Sequence, residues 1–224
     1  MKRRLLLLML MGGLVLSCAG LPTLQQTTGP TSVEKNPSST ALYPNGTWQL
    51  LHTIQAELPG NRKGFLMGLT KLSSRERSAR CVIMTLEGLV LFDARYDGTV
   101  KIDRAVAPFD NPAFAQGVMA DIRLIFFKPM ADETTTGKLA DGATVCRHRL
   151  SDGHVIDVVQ REGNLWETRL YRSNHRLKRI VKQMRTEQPP QGAPWGIADK
   201  IELTALEKPG YKLVLDLVEA IPIG

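Results

Sequence analysis

The chain has 224 residues, of which 43% are hydrophobic and 23% charged, and this composition is typical of a globular protein rather than of a disordered or collagen-like chain. The formal net charge is +7, but three of the basic residues lie in the first seventeen residues, which carry no acid. Because the rest of the chain is only mildly basic and 6% of all residues are aromatic, a nucleic-acid partner is not expected.

The N-terminus has the layout of an export signal. The positive segment Lys2–Arg4 precedes an apolar run of about twelve residues, which is shorter than the roughly twenty of a membrane-spanning helix. The run ends in Val15–Cys18, with the sequence VLSC, which resembles the lipobox of bacterial lipoproteins. The resemblance implies a signal peptide over residues 1–17 and a Cys18 that carries diacylglycerol and becomes the mature N-terminus.

A multiply acylated Cys18 would anchor the protein to a membrane, since several buried chains hold far more firmly than one. Ala19 and Gly20 follow, without the aspartate that retains enterobacterial lipoproteins in the inner membrane, so the resemblance implies the periplasmic face of the outer membrane. Residues 18–46 are rich in Thr, Ser, Pro, Gln and Gly, and their composition predicts a flexible tether. The folded domain is then expected over residues 47–224.

Eleven segments after the tether alternate apolar and polar residues with a period of two, as half-buried strands do. Tight-turn dipeptides such as Asp97-Gly98 separate several of these segments, which is typical of antiparallel hairpins. The predicted strands are 47–58, 64–72, 79–86, 89–96, 99–106, 143–150, 154–161, 165–171, 176–185, 197–206 and 211–219.

One amphipathic helix is predicted between Asn111 and Met130, with Asn111 as its cap and Pro112 at its first position. Four apolar side chains recur on one face, at Phe114, Val118, Ile122 and Phe126. A long antiparallel sheet tends to curl, and a helix with a wide apolar stripe would cover its concave side. We therefore predict a mainly β (α+β) fold, a half-open barrel of about eleven strands with the helix as lid or plug.

The sequence resembles an uncharacterised family of bacterial lipoproteins related to LolB. The resemblance covers residues 47–223 and rests on the signal and tether, the strand beginning at Trp48, the segments 86–93 (LEGLVLFD) and 120–124 (ADIRL), Lys128-Pro129, and the closing hairpin at 211–215 (YKLVL). That family is similar to the LolA/LolB half-barrel, in which a curved antiparallel sheet and a helical lid enclose an apolar cavity for acyl chains. The resemblance implies a lipid or lipoprotein carrier or acceptor.

Motifs of catalysis are missing from the sequence. It contains no Gly-x-Ser-x-Gly elbow, no His-Glu-x-x-His helix and no phosphate-binding Gly-x-x-x-x-Gly-Lys loop, and its four histidines do not have metal-ligand spacing. We therefore expect a non-enzymatic protein without a metal or cofactor. An enzyme acting on lipid or cell-wall material remains an alternative only if catalytic residues that are distant in the sequence come together in the fold.

Apolar surface is the remaining candidate site. We predict that a cavity for an acyl chain is lined by sheet residues Phe65, Met67, Leu69, Val82, Met84 and Leu86 and by helix residues Phe114, Val118, Ile122 and Phe126. Methionine suits such a cavity because its side chain is flexible and polarizable. The alternative is a filled core built from the same residue types, in an interaction lipoprotein that docks on a membrane complex.

Two cysteines remain after Cys18, at Cys81 and Cys146. The predicted compartment oxidises thiols, so a disulfide between them is possible, although a buried reduced cysteine is also common.

Residues 172–185 contain six basic residues and no acid. The spacing of Leu177, Ile180, Val181 and Met184 fits a basic interfacial helix, whereas the family resemblance implies a strand. In either conformation the positive charge would face anionic head groups or an acidic partner, or form a solvated face.

Overall fold

The computed structural model describes residues 20–25, 42–185 and 196–223. In this part of the chain, twelve antiparallel strands form one sheet, and one helix lies between the fifth and sixth strands. The strands are β1 (Thr47–Leu58), β2 (Arg62–Ser73), β3 (Ser78–Met84), β4 (Val90–Tyr96), β5 (Val100–Ala105), β6 (Glu133–Lys138), β7 (Thr144–Arg149), β8 (Val155–Gln160), β9 (Leu165–Tyr171), β10 (Leu177–Met184), β11 (Lys200–Ala205) and β12 (Tyr211–Pro222), and the helix is α1 (Pro112–Phe126). Cys18 and the predicted signal peptide lie outside the described residues.

The strand order makes a half-open barrel. From edge to edge it is β5-β4-β3-β2-β1-β12-β11-β10-β9-β8-β7-β6, so the first and last strands pair at the centre while β5 and β6 remain edges. The predicted curved antiparallel sheet with an inserted helix is confirmed. The strand that the sequence did not predict is β6, because its sequence, ETTTGK, lacks the apolar alternation that marks the others.

Helix α1 begins where its cap predicts. The Asn111 side chain accepts a hydrogen bond from the Ala113 N–H at 2.8 Å, and Pro112 occupies the first turn, where its missing N–H costs nothing. The helix ends at Phe126, short of the predicted Met130. Phe127 is already extended, and the following Lys128 precedes a proline, which disfavours helical backbone there.

The core lies between α1 and the concave face of the sheet. Leu50, Phe92 and Leu203 are fully buried there, each contributing on the order of 1.5–3 kcal/mol by leaving water. The Phe92 ring meets the Phe114 ring of α1 edge to face, with centroids 5.2 Å apart. This contact fixes the N-terminal half of the helix over β4.

The basic segment 172–185 is a strand and not a helix, since β10 occupies Leu177–Met184. Ion pairs link Arg172 and Lys178 to Glu207, and Arg179 to Asp121. The positive charge that the sequence predicts is therefore partly compensated by acids from other elements.

Two short segments within residues 18–46 contact the folded part. Leu42 and Tyr43 are buried in the core, and burial raises the pKa of the Tyr43 hydroxyl. Gln25 bridges to Lys138 on the edge strand β6 through two backbone hydrogen bonds of 2.9 and 3.0 Å. The packed structure thus extends N-terminal to Thr47, where the domain is predicted to begin.

Cys81 and Cys146 are both free thiols, so the possible disulfide between them is absent. Cys81 lies on β3 and Cys146 on β7, which belong to opposite halves of the strand order. None of the described helices is both long enough and apolar enough to cross a membrane.

Candidate functional site

A cavity of about 550 Å³ lies between α1 and the concave face of the sheet. Its volume falls within the range of roughly 300–1,000 Å³ that is usual for small-molecule sites. The side chains that line it are apolar or glycine except for five, which are His52, Thr70, Asp121, Arg179 and Tyr211. Such a lining favours a ligand that is mostly hydrocarbon.

Small residues create the space. A Cβ atom added at Gly64 or at Gly117 would meet nothing within 4 Å, so these glycines of β2 and α1 face open volume. At Gly68 an added Cβ would lie 2.7 Å from Cδ1 of Ile54, which already fills the space above that glycine. The cavity therefore exists because side chains are absent from both of its walls.

The cavity has an open end and a closed end. Leu58 at the end of β1 is 40% exposed and Ala113 at the start of α1 is also exposed, whereas His52 is 1% and Phe126 3% exposed. Leu58 lies six positions after His52 on β1, which corresponds to about 20 Å of strand. That depth is comparable with the hydrocarbon thickness of one bilayer leaflet, about 15 Å.

Helix α1 supplies the cavity residues that the sequence predicts for it. Its four predicted side chains all line the cavity: Phe114, Val118, Ile122 and Phe126. Their spacing of four keeps them on one face of the helix, and this face is the one that closes over the sheet.

The prediction of which face of β2 and β3 lines the cavity is wrong, because the opposite face of each strand does so. The cavity is lined by Leu66, Gly68 and Thr70 of β2 and by Cys81 and Ile83 of β3. None of the six predicted residues lines the cavity: Phe65, Met67, Leu69, Val82 and Met84 point to the convex side, and Leu86 lies in the turn after β3. Of these, Phe65 is 60% and Leu86 58% exposed. The prediction chose the face with the larger apolar side chains, whereas the cavity needs small residues on its wall.

A polar cluster joins the two walls near the open end. Arg179 of β10 donates from Nε to Oδ1 of Asp121 on α1 at 3.1 Å, and the Tyr211 hydroxyl donates to Oδ2 of the same carboxylate. The Arg179 guanidinium also lies 5.4 Å from the centroid of the Tyr211 ring. Burial raises the pKa of Asp121, although both hydrogen bonds oppose the shift. The sequence holds one signal for this cluster, the acid Asp121 beside the apolar stripe of α1, which was not among the predicted site residues.

A second polar group lies at the closed end. Burial lowers the pKa of His52 from 6.5 to about 4, so its imidazole is neutral at physiological pH, and its Nε2 has no hydrogen-bond partner. Thr70 hydrogen-bonds the Cys81 thiol beside it, and burial raises the pKa of Cys81 to about 12. The sequence places His52 on the apolar face of β1 but assigns it no role.

The C-terminal half of α1 is fixed by contacts outside the cavity. Arg77 donates to the Lys128 carbonyl at 3.0 Å, and Gln183 donates to the Ile125 carbonyl at 3.4 Å. Arg123 lies 4.6 Å from the centroid of the Tyr96 ring. The described residues contain no group of three His, Cys, Asp or Glu side chains that could hold a metal ion.

The fold and the cavity together define an open β half-barrel whose helix encloses an apolar site. This is the fold of the LolA superfamily. A crystal structure of a LolA superfamily protein from Nitrosomonas europaea superposes with a TM-score of 0.52 at 12% identity, over 83% of this chain and 93% of that chain. A crystal structure of a domain named for outer membrane lipoprotein sorting, from Vibrio parahaemolyticus, gives a TM-score of 0.46 at 14% identity, over 81% and 88%. No protein-family model matches the sequence, and no curated protein gives a significant match.

Proposed function

We propose that this protein binds an acyl chain, as a lipid or as part of a lipidated protein, in the cavity under α1, and that it serves as a carrier or acceptor without catalysing a reaction. The observation that carries the proposal is the cavity of about 550 Å³ with an almost wholly apolar lining. Removing apolar surface from water stabilises by about 25 cal/mol per Å², so a hydrocarbon chain gains free energy by entering.

The cavity also supports this proposal over the filled-core alternative. A docking protein with a solid interior would place side chains where Gly64 and Gly117 leave open volume. Protein interiors are normally close-packed, and an empty space of this size forfeits dispersion contacts along its whole lining. Retaining such a space is physically reasonable when a ligand fills it.

A matched pair of substitutions at Gly117 tests the proposal. Gly117→Leu puts a side chain into the open volume, and it should stabilise the helix by about 1 kcal/mol because leucine is the better helix former. Gly117→Ala gains helix propensity but leaves most of the cavity free. The full-length wild type and both variants are purified from cells, and their bound lipids are measured by native mass spectrometry.

We expect wild type and Gly117→Ala to carry lipid, and Gly117→Leu to carry at least about tenfold less with an unchanged or higher thermal midpoint. A lipid-free wild type that also binds no added fatty acid would refute the proposal. Equal lipid in Gly117→Leu and wild type would show that the ligand binds elsewhere.

The proposed location is the periplasmic face of the outer membrane, with the protein held by lipid on Cys18. The lipobox sequence at Val15–Cys18 supports it. Replacing Cys18 with Ala should move the protein from the outer-membrane fraction to the soluble periplasmic fraction, since its anchor would be gone. A Cys18→Ala protein that stays with membranes after a high-salt wash would mean that the lipobox interpretation is wrong or that a second apolar anchor exists.

A further inference from the structure

The closed end of the cavity is polar, although the walls that lead to it are apolar. His52, Thr70 and Cys81 all line it, and each is at most 6% exposed. Thr70 and Cys81 satisfy each other through a hydrogen bond, whereas Nε2 of His52 has no partner. Nε2 of His52 is therefore a buried polar atom without a hydrogen-bond partner among the described residues, in a side chain that lines the bottom of the cavity.

Burial alone lowers the pKa of His52, so no charged side chain of the described residues acts on it. In strand register it lies between Gly68 of β2 and Leu217 of β12, and from α1 the Phe126 ring faces it with centroids 6.2 Å apart. An anionic carboxylate at this depth would be buried without a cation and would be strongly disfavoured. A neutral hydroxyl or carbonyl fits, because a neutral imidazole nitrogen can either donate or accept one hydrogen bond.

We infer that the ligand carries a neutral hydrogen-bonding group, such as a hydroxyl, on its hydrocarbon chain at the depth of His52, and that His52 Nε2 binds it. The inference rests on the proposed function and adds a chemical class to it: an oxygenated acyl chain rather than a plain one. His52 is then the residue that determines specificity within the cavity.

We expect the cavity to prefer a hydroxylated chain, because a plain hydrocarbon chain would leave His52 Nε2 without a hydrogen-bond partner. A hydrocarbon segment against Nε2 covers a buried polar atom without a partner, whereas a hydroxyl at the same depth satisfies it. Sites that hydrogen-bond a ligand group discriminate against the analogue that lacks the group, since their own polar atom is then stranded. We expect a preference of about tenfold or more.

A series of monohydroxylated palmitic acids, with the hydroxyl at successive positions along the chain, tests the inference. The full chain is kept in amphipol, and each acid, with palmitic acid as reference, displaces a bound dansyl-labelled fatty acid. For wild type we expect the affinity to peak at one hydroxyl position, about tenfold above palmitic acid. His52→Leu should remove the peak and bind palmitic acid at least as well as wild type.

His148→Leu is the matched control. His148 is also a buried histidine whose Nε2 has no hydrogen-bond partner, but it does not line the cavity. This variant should keep the peak even if it loses stability. Should His52→Leu fail to fold, His52→Gln retains a hydrogen-bonding side chain and is expected to keep the preference for a hydroxylated chain.

Different results would contradict the role of His52 and the proposed acyl-chain binding. A flat profile in wild type with normal displacement by palmitic acid would overturn the role of His52 and leave acyl-chain binding standing. A peak that persists in His52→Leu would overturn it as well. If neither palmitic acid nor any hydroxylated acid displaces the label, the proposed function itself fails, and the inference with it.

Discussion

Arg179 of β10 donates from Nε to Oδ1 of Asp121 on α1 across 3.1 Å, and this bond ties the helix to the sheet within the lining of an apolar cavity. The two side chains are only 12% and 10% exposed. Because water screens neither charge well, each is costly to bury without the other. The helix that covers the cavity is thus held by a charged contact as well as by apolar packing.

Removing one partner of this pair should loosen the helix. In Arg179→Met the buried Asp121 carboxylate keeps only the hydrogen bond from the Tyr211 hydroxyl. We therefore expect a loss of about 1–3 kcal/mol in the free energy of unfolding, measured in urea. Hydrogen exchange of the α1 amides should accelerate more than that of the central strands β1 and β12.

The double variant Arg179→Met/Asp121→Leu serves as the control for this first prediction. It removes both charges together, so it should recover part of the loss seen in Arg179→Met. If the losses of Arg179→Met and of Asp121→Leu add up to the loss of the double variant, the two side chains are not energetically coupled.

Acid should destabilise the fold through His52. Its pKa is lowered from 6.5 to about 4 by burial, so below pH 6.5 the unfolded chain gains a proton that the folded chain does not. Stability is therefore complete above pH 6.5 and falls as the pH drops toward 4, by up to about 3 kcal/mol from this group. His148, whose pKa is also lowered by burial, acts in the same direction.

The contribution of His52 is isolated by comparing unfolding free energies of wild type and His52→Gln between pH 7 and pH 4. The variant should lose less stability over this range, while His148 contributes equally to both proteins. Identical pH profiles would contradict a neutral, buried His52.

The two free thiols provide an internal comparison for cavity occupancy. Cys81 lines the cavity, and burial raises its pKa to about 12, whereas Cys146 is half-buried outside the cavity lining. Since the thiolate is the reacting species, N-ethylmaleimide should label Cys81 at least tenfold more slowly. Added palmitic acid should slow Cys81 further and leave Cys146 unchanged, as read by peptide mass mapping. Equal protection of both would indicate a global effect instead of cavity filling.

Gly196 should be intolerant of any side chain. It has φ +95°, and an added Cβ would lie 2.6 Å from the Tyr43 carbonyl oxygen, a backbone atom that cannot rotate away. We expect Gly196→Ala to cost more than about 2 kcal/mol in urea unfolding, from backbone strain and displacement of the buried residues at 42–43. Gly98→Ala is the control, since Gly98 has φ +102° with open space around it and should show only the strain, about 1 kcal/mol. Equal losses would mean that the contact with Tyr43 is unimportant.

Local patterns in the sequence determined the elements. Period-two alternation predicts eleven of the twelve strands, although residues 172–185 also fit a basic helix, and the cap at Asn111 predicts the start of α1. The four apolar helix residues also reach the cavity as predicted. A helix has one apolar stripe, so its buried face is unambiguous.

The tertiary structure alone decided which face of the sheet lines the cavity. A strand offers two faces, and apolar content favours Phe65 and Met67, although curvature places Gly68 and Thr70 on the concave side. A cavity is made by missing side chains, so a search for large apolar residues selects the opposite face. Asp121 and Arg179 are 58 residues apart in the chain, and only the closing of α1 over β10 brings their charges together.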